Sequence, residues 1–427
     1  MNTRFYNARI LTMEPLKEIF FGEVWVKEDR IVFAGTDAEA GKKEPLSWDR
    51  EIDCKKNLLM PGFKNAHTHS AMTLMRSKAD DLPLQDWLGT QIFPIEAKMT
   101  GEDIYHLSKI AVLEYLTSGV TGIFEMYLTP FTVADAMRDT GMRCVQTSCV
   151  NNFSQSVELL EEYYNKINGA DPYNSFILGV HAEYTCSKEL LEKCAELTHK
   201  YKAPFWAHIQ ETEKETKECI ERYGMTPIEF FDSLGLFDYG GGGYHLVWTN
   251  DKDKEIMKKR GLYAVTNPGS NTKLASGIAP IKEYLECGIP VAIGTDGPAS
   301  NNCLDMFREM FLVTGLAKLK NMDASSVDAM EVLKMATVNG AHAMGLSNSD
   351  YLAEGKLADI IMIDLQKPNM QPINNIEKNL VYSGSKSNVL MTMIGGIIRY
   401  ENGKFNIGVE PCELYEKAEE IKARLYD

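Results

Sequence analysis

The stretch PGFKNAHTHS sets His67 and His69 one residue apart, just after a Pro-Gly and at the end of a short apolar run. On a strand, residues i and i+2 project from the same face, so both imidazoles can reach one point; on the inward face of a closed barrel that point lies toward the axis. Two other apolar runs end on residues of the same chemical kind: APFWAH closes on His208 and VAIGTD on Asp296. Three neutral imidazoles and a carboxylate suit Zn2+, with Fe2+ or Mn2+ as alternatives, and water can complete the coordination sphere. The metal would lower the pKa of that water from ~15.7 toward ~7, giving a hydroxide nucleophile at neutral pH.

Two more residues could take part. Glu211 lies three residues past His208 in HIQE, near enough to share the site without ligating, and a carboxyl group there can shuttle a proton between the water, a ring nitrogen and a departing amine. His245, at the end of GYHL, can donate to or orient the attacking oxygen, while Asp296 can accept its proton as well as bind the metal. The competing readings are a solvated Glu211 opening the helix ETEKETKECIERY and an interior, satisfied His245. Among the other histidines, His106 and His199 fall in helical patterns and His342 packs within NGAHAMG; His181 ends the run FILGVH, where contact with a substrate and a structural role stand equal. NPGSN at 267–271 reads either as a turn with Ser270 and Asn271 facing a pocket or as a purely structural turn, and Met72, Met75 and Met126 as pocket lining or core filler.

The elements that must position these residues can be read from the texture of the chain. Eight strand-like runs, LLMPGFKNAHTH, GVTGIFEMY, GMRCVQTSCV, FILGVHAEYT, APFWAHIQE, GYHLVWT, LYAVTNP and IPVAIGTDG, alternate with helical patterns such as EDIYHLSKIAVLEYLTSG and SKELLEKCAELTHKY. Repeated strand-helix units of this number predict an α/β fold, a (β/α)8 barrel over residues 60–350, whose usual size is about 250 residues. Residues 1–59 and 351–427 carry short β-like bursts with Glu-Asp-Arg, Gly-Gly and Glu-Asn-Gly turns, and are expected to pair into one small β-sandwich domain built from both chain ends.

The totals narrow the partners. With 427 residues, 44% hydrophobic, the chain can bury a large core, and its net charge of -15 argues against binding a phosphate backbone, which needs a basic face. Nine scattered cysteines without a CxxC pair suggest neither a disulfide framework nor a thiolate zinc site. The first residues lack a secretory layout and no apolar run approaches the ~20 residues that span a bilayer, so a cytoplasmic protein is expected, with no membrane partner. A homo-oligomer is compatible with the sequence, although nothing marks an interface.

PGFKNAHTH, HIQE, GYHLVW, NPGSNTKLASGIAPI, GTDGPASNNCLDMFREM and EGKLADIIMID, in this order over nearly the whole chain, resemble the amidohydrolase superfamily, and within it the methylthioadenosine/S-adenosylhomocysteine deaminase and chlorohydrolase branch. The resemblance implies a mononuclear site with His67, His69, His208 and Asp296 as ligands, Glu211 as proton shuttle and His245 beside the attacking water. It further implies that the segment DLPLQDWL forms a loop over the site, with Trp87 against a nucleoside substrate, Glu96 accepting from ribose hydroxyls and His181 contacting the purine nucleoside. The activity implied is zinc-dependent hydrolytic deamination of an adenine nucleoside: methylthioadenosine, S-adenosylhomocysteine, 5'-deoxyadenosine or adenosine.

One departure bears on substrate choice. Relatives that accept S-adenosylhomocysteine are expected to carry arginines near the third strand and its loop, able to fork a carboxylate. Here GMRCVQTSCVNNFSQSVELLEEYY has Arg143 inside the strand and none in the loop, which favours a neutral adenosine-like substrate. The alternatives are hydrolysis of another heteroaromatic, guanine, triazine or pyrimidine, for which Glu96 has less purpose, and a non-catalytic barrel protein, from which some of the six site residues should be missing. A cytidine-deaminase-like zinc fold needs H-x-E and P-C-x-x-C, absent here.

Overall fold

Two sheets organise the chain in the computed structural model, which describes residues 1–44, 46–78 and 80–426. The N-terminal strands β1 (Asn2–Ile10), β2 (Phe20–Lys27), β3 (Arg30–Thr36), β4 (Arg50–Asp53) and β5 (Leu58–Pro61) come first. The parallel set follows: β6 (Phe63–Thr68), β7 (Val120–Met126), β8 (Arg143–Thr147), β9 (Asn174–Ala182), β10 (Phe205–Ile209), β11 (Gly241–His245), β12 (Tyr263–Thr266) and β13 (Val291–Ile293). Last come β14 (Ile360–Ile363), β15 (Val389–Ile394), β16 (Ile397–Glu401) and β17 (Lys404–Phe405).

The chain ends pair through β5, which runs parallel to β1 and antiparallel to β14, giving one mixed nine-stranded sheet ordered β17-β16-β15-β14-β5-β1-β2-β3, with β4 on β1. Alternating burial along β1 gives this sheet one dry face. The sheet curls over a core of its own, in which Phe5, Ile10 and Val24 meet Leu59, Met391 and Met393. The turn residues legible in the sequence fall between β2 and β3, β15 and β16, and β16 and β17.

Strands β6 to β13 pair in chain order, all parallel. They are buried on both faces, as a parallel sheet covered by helices requires. The covering helices start on side-chain caps: Thr100 and Asp103 form a capping box for Gly101–Thr117, and Asn250 and Asp253 another for Asp251–Arg260. The eight expected runs therefore match the eight barrel strands, except that LLMP belongs to the small sheet. The change of sheet occurs at Gly62, where a Cβ would lie 2.1 Å from Thr121 Cγ2; only glycine lets the chain pass that close to β7.

The segment after the histidines is helical rather than an open loop. It runs as Leu84–Trp87, a π turn over Leu88–Ile92, and Phe93–Glu96. Pro94 has no N–H to return to Thr90, and the Phe93 N–H instead reaches back five residues to Leu88 O. Among the described residues no helix is long and apolar enough to cross a membrane, and the cysteines are free, six of them buried.

Candidate active site at the barrel rim

The barrel is completed where β13 meets β6, and side-chain and loop contacts, not a strand ladder, make that seam. Asp296 N–H donates to His67 O at 3.0 Å, Thr295 N–H donates to Asn65 Oδ1 at 2.9 Å, and Asn65 Nδ2 donates to Thr295 Oγ1 at 2.7 Å. Gly294 permits this approach, because a Cβ there would stand 2.8 Å from His67 N and 2.4 Å from Asn267 Oδ1. The seam thereby brings Asp296 to His67 and His69, at the C-terminal strand ends where barrel enzymes do their chemistry.

Five ligand-type groups converge here. One atom each from His67, His208, His245 and Asp296 lie within 4.8 Å of one another, all buried. Asp296 Oδ1 stands 3.3 Å from His67 Nε2 and 3.0 Å from His69 Nε2. The tautomers are set from outside: His208 Nδ1 donates to His181 O at 2.7 Å, and His69 Nδ1 donates to Met126 O. Their Nε2 lone pairs consequently face inward, and His67 Nε2 lies 3.0 Å from His208 Nε2. Ser270 and Ser300 donate to Asp296 Oδ2 at 2.6 and 2.7 Å, leaving Oδ1 for the interior.

Acceptors gathered this closely repel one another unless a positive charge sits among them, so the donor set fits a cation. The electrostatics agree. Burial holds His67 neutral, down to about 3, and pushes His208 well below the usual imidazole range. Burial also works against charge on His69, yet the hydrogen bond and charge of Asp296 outweigh it and lift this ring to about 9. The cluster has the potential to hold one positive charge, proton or metal. The His67 ring is fixed by stacking on Tyr244, with centroids 3.8 Å apart.

Glu211 is buried beside this cluster, not solvated. Ser276 Oγ donates to its Oε1 at 2.9 Å, while Oε2 lies 3.7 Å from His245 Nε2. His245 in turn is oriented through Nδ1, which donates to Asn271 Oδ1 at 2.8 Å. Burial raises the Glu211 carboxyl above its ordinary range; the charge of Asp296 adds to this and His245 opposes it. The turn carrying Glu211 is pinned by Glu215, which accepts the backbone N–H of Gln210 at 2.7 Å and of Glu211 at 2.9 Å. Gln210, His245 and Asp296 all have left-handed backbone, with φ of 52°, 74° and 59°. Strain of this kind, of order ~1–3 kcal/mol per residue, concentrates where a site over-determines the chain.

A cavity of about 810 Å³ opens onto these groups, within the usual size range of small-molecule sites. The helical segment 84–96 forms one side of it, contributing Trp87, 3% exposed, and Glu96. Burial raises the Glu96 carboxyl, against a hydrogen bond from Tyr127. His181 also lines the cavity; its Nδ1 lies 3.1 Å from Thr185 Oγ1, whose own proton goes to Ala182 O, so His181 Nε2 is left as an acceptor. Burial lowers His181 to about 4. Met72 and Met126 line the same cavity, whereas Met75 is core.

His106, His199 and His342 lie elsewhere, the last two bonded to Asp238 and Asp350 at 2.9 Å each. Arg143 sits at the opposite end of the barrel in a buried ion pair with Asp359. Sequence reasoning missed Ser276, Ser300, Tyr127 and Tyr244. The two serines lie inside NPGSNTKLASG and GTDGPAS, motifs already noted, but a serine carries no sign of which carboxylate it will hold.

Fold and rim chemistry together define a class, a barrel enzyme built for metal-dependent hydrolysis. The chain belongs to the Amidohydrolase family, which matches residues 58–399, and is a hydrolase acting on carbon–nitrogen bonds. It is 36% identical to a 5-methylthioadenosine/S-adenosylhomocysteine deaminase of Caldicellulosiruptor saccharolyticus, over 95% of this chain and 94% of that one. It is likewise 36% identical to a 5'-deoxyadenosine deaminase of Methanopyrus kandleri, over 97% of each. Among solved structures, an adenosine deaminase from Xanthomonas campestris with bound zinc superposes with a TM-score of 0.93 at 29% identity, covering 99% of this chain and 98% of that one. Family and cluster together indicate a divalent metal and a small-molecule substrate.

Proposed function

We propose that this chain is a zinc-dependent hydrolytic deaminase of adenine nucleosides, converting substrate and water into ammonia and the inosine-type product. One observation carries the reading: a buried carboxyl with one oxygen tethered and the other free, Glu211, stands beside a cation-type cluster and opens into the cavity that also holds Glu96. The names of the relatives support the same substrate class. His67, His69, His208 and Asp296 would hold the metal, whose nitrogen and oxygen donors suit zinc and which, when bound, supplies activated water at neutral pH.

The rest is the work of side chains. Glu211, held through Oε1 by Ser276, can carry the proton of the attacking water to the ring nitrogen next to the amino-bearing carbon. Asp296 can take the remaining proton of the attacking oxygen and pass it to the exocyclic nitrogen, whose bond to the ring carbon then breaks to release ammonia, while His245, oriented by Asn271, holds that oxygen in position. In this reading Glu96 would accept from sugar hydroxyls, with Trp87 and His181 against the nucleoside, and all three line the cavity. A free base would leave the Glu96 carboxylate without that partner.

Ammonia release by metal-loaded protein on adenosine, 5'-deoxyadenosine, methylthioadenosine, adenine and guanine tests the reading; silence on every nucleoside would sink it. The ligand set has its own check. Metal content per chain should collapse in His69→Ala and stay near that of the parent in His245→Ala, which loses rate instead. A His69→Ala protein with full metal and full rate would remove His69 from the set.

A further inference from the structure

The motif GTDGPASNNCLDMFREM carries near its end a glutamate that the reaction outlined above does not use. Glu309 lies in the first turn of the helix Met306–Asn321 and is fully buried, so its carboxyl must find its partners inside the protein. Its two oxygens go to two different segments. Oε2 accepts the backbone N–H of Gly269 at 2.8 Å, and Oε1 accepts from Asn301 Nδ2 at 2.8 Å; the same amide group donates to Thr295 O at 2.7 Å. The segments leave the ends of β12 and β13, and rim loops of this kind are the parts of a barrel that shift unless something ties them.

Both tied points adjoin residues of the site. Ser270 and Asn271 follow Gly269, and Ser300 precedes Asn301. Ser270 and Ser300 are the donors that occupy Asp296 Oδ2, at 2.6 and 2.7 Å, and Asn271 orients His245 through Nδ1 at 2.8 Å. One buried carboxyl therefore stands behind both groups that surround the attacking oxygen. With that tie cut, the serine hydroxyls are free to leave Oδ2 and the Asp296 carboxylate to turn. Its Oδ1 is then no longer held 3.3 and 3.0 Å from His67 and His69. Burial raises the Glu309 carboxyl to about 8, against the bonds from Gly269 and Asn301, so an uncharged group of the same shape is compatible with the fold. Glutamine is thus the variant that removes one acceptor without leaving a hole.

We propose that Glu309 is a positioning residue for the reaction: by tying Gly269 to Asn301 it fixes the hydrogen bonds that turn Asp296 Oδ1 toward the histidine cluster and His245 toward the attacking oxygen. Its part in turnover rests on the deaminase reading above; its part in holding Asp296 as a metal ligand is read separately.

The test places Glu309→Gln in the parent and in the double variant Ser270→Ala, Ser300→Ala. The readouts are kcat and KM on the nucleoside the parent turns over fastest, the rate at which a chelator takes Zn2+ from the loaded protein, and the visible absorption of the Co2+-loaded protein. In the parent, Glu309→Gln should lower kcat about tenfold with KM little changed, release Zn2+ faster by a similar factor and alter the Co2+ spectrum, the scale expected when an outer partner of a metal ligand is lost. Glu309→Ala, which removes both acceptors, should go further, toward ~100-fold. In the serine-free protein Glu309→Gln should change Zn2+ release by less than about twofold, because the bonds through which it reaches Asp296 are already gone. Parental Zn2+ release and Co2+ absorption in Glu309→Gln overturn the proposal, as does a Zn2+ effect that multiplies in full with that of the serine pair. A loss confined to Tm does the same, for it makes Glu309 a prop of the fold alone. If the parent frees no ammonia from any nucleoside, the deaminase reading falls, and Zn2+ release and the Co2+ spectrum still decide whether Glu309 holds Asp296.

Discussion

Glu211→Gln is expected to keep the metal content of the parent and to lose kcat by a factor on the order of 10² to 10⁴, the range for removing a positioned acid-base group. Glutamine keeps an oxygen for the Ser276 hydroxyl and preserves the shape of the side chain, so the turn pinned by Glu215 need not move. What it removes is the capacity to take up and release a proton at the second oxygen, the one that faces His245 at 3.7 Å. KM should change far less than kcat, since the lost interaction belongs to the transition state. Single-turnover ammonia release, measured together with metal per chain, separates the cases. A variant with parental kcat would strip Glu211 of its role, and one that loses metal along with activity would make it a part of the site's assembly instead.

Much of this was legible because the strand period is two and the barrel has an inside. His67 and His69 could share a target only on a strand, and His208 and Asp296 each ended an apolar run, so one geometric rule gathered residues over 200 positions apart. The change of sheet at Gly62 was not legible: LLMPGFKNAHTH is one continuous apolar run, and only the close passage of Thr121 shows where it divides. The helical state of 84–96 was hidden for a related reason, since Gly89 and Pro94 within thirteen residues argue against a helix, and the π turn that accommodates Pro94 leaves no periodic signature. Glu211 was open between a solvated helix start and a catalytic carboxyl. Its buried partners Ser276 and His245 come from the loop after the helix Pro268–Lys273 and from the end of β11, and no local pattern records that.

Arg143, the residue on which carboxylate recognition turned in the sequence, has a structural use, and breaking it should produce the largest stability loss predicted for this chain. It opens β8, at the N-terminal end of the strand and so on the face of the barrel opposite the rim. Its Nε and Nη2 donate to Asp359 at 2.8 and 3.0 Å, and its Nη1 to Pro172 O at 3.2 Å. Asp359, fully buried, also accepts from Ser349 Oγ at 2.5 Å and from Gly395 N–H at 2.8 Å, so the pair ties the barrel to the sheet formed by the chain ends. Burial alone would raise the Asp359 carboxyl, but the charge and hydrogen bonds of Arg143, helped by Lys64 and Ser349, hold it at about 2. Its folded pKa is thus below the ~3.9 of an unfolded aspartate, so its contribution to stability is complete above about pH 4 and is lost as pH falls toward 2. Asp359→Asn leaves a buried guanidinium without its counter-charge and should cost about 3–5 kcal/mol, seen as a lower Tm at neutral pH, with the difference from the parent shrinking in acid. Arg143→Met with Asp359→Leu removes both charges together and should recover much of the loss, while the deaminase keeps its kcat because neither group reaches the cavity. If Asp359→Asn melts with the parent at neutral pH, the ion pair does not hold the two sheets together.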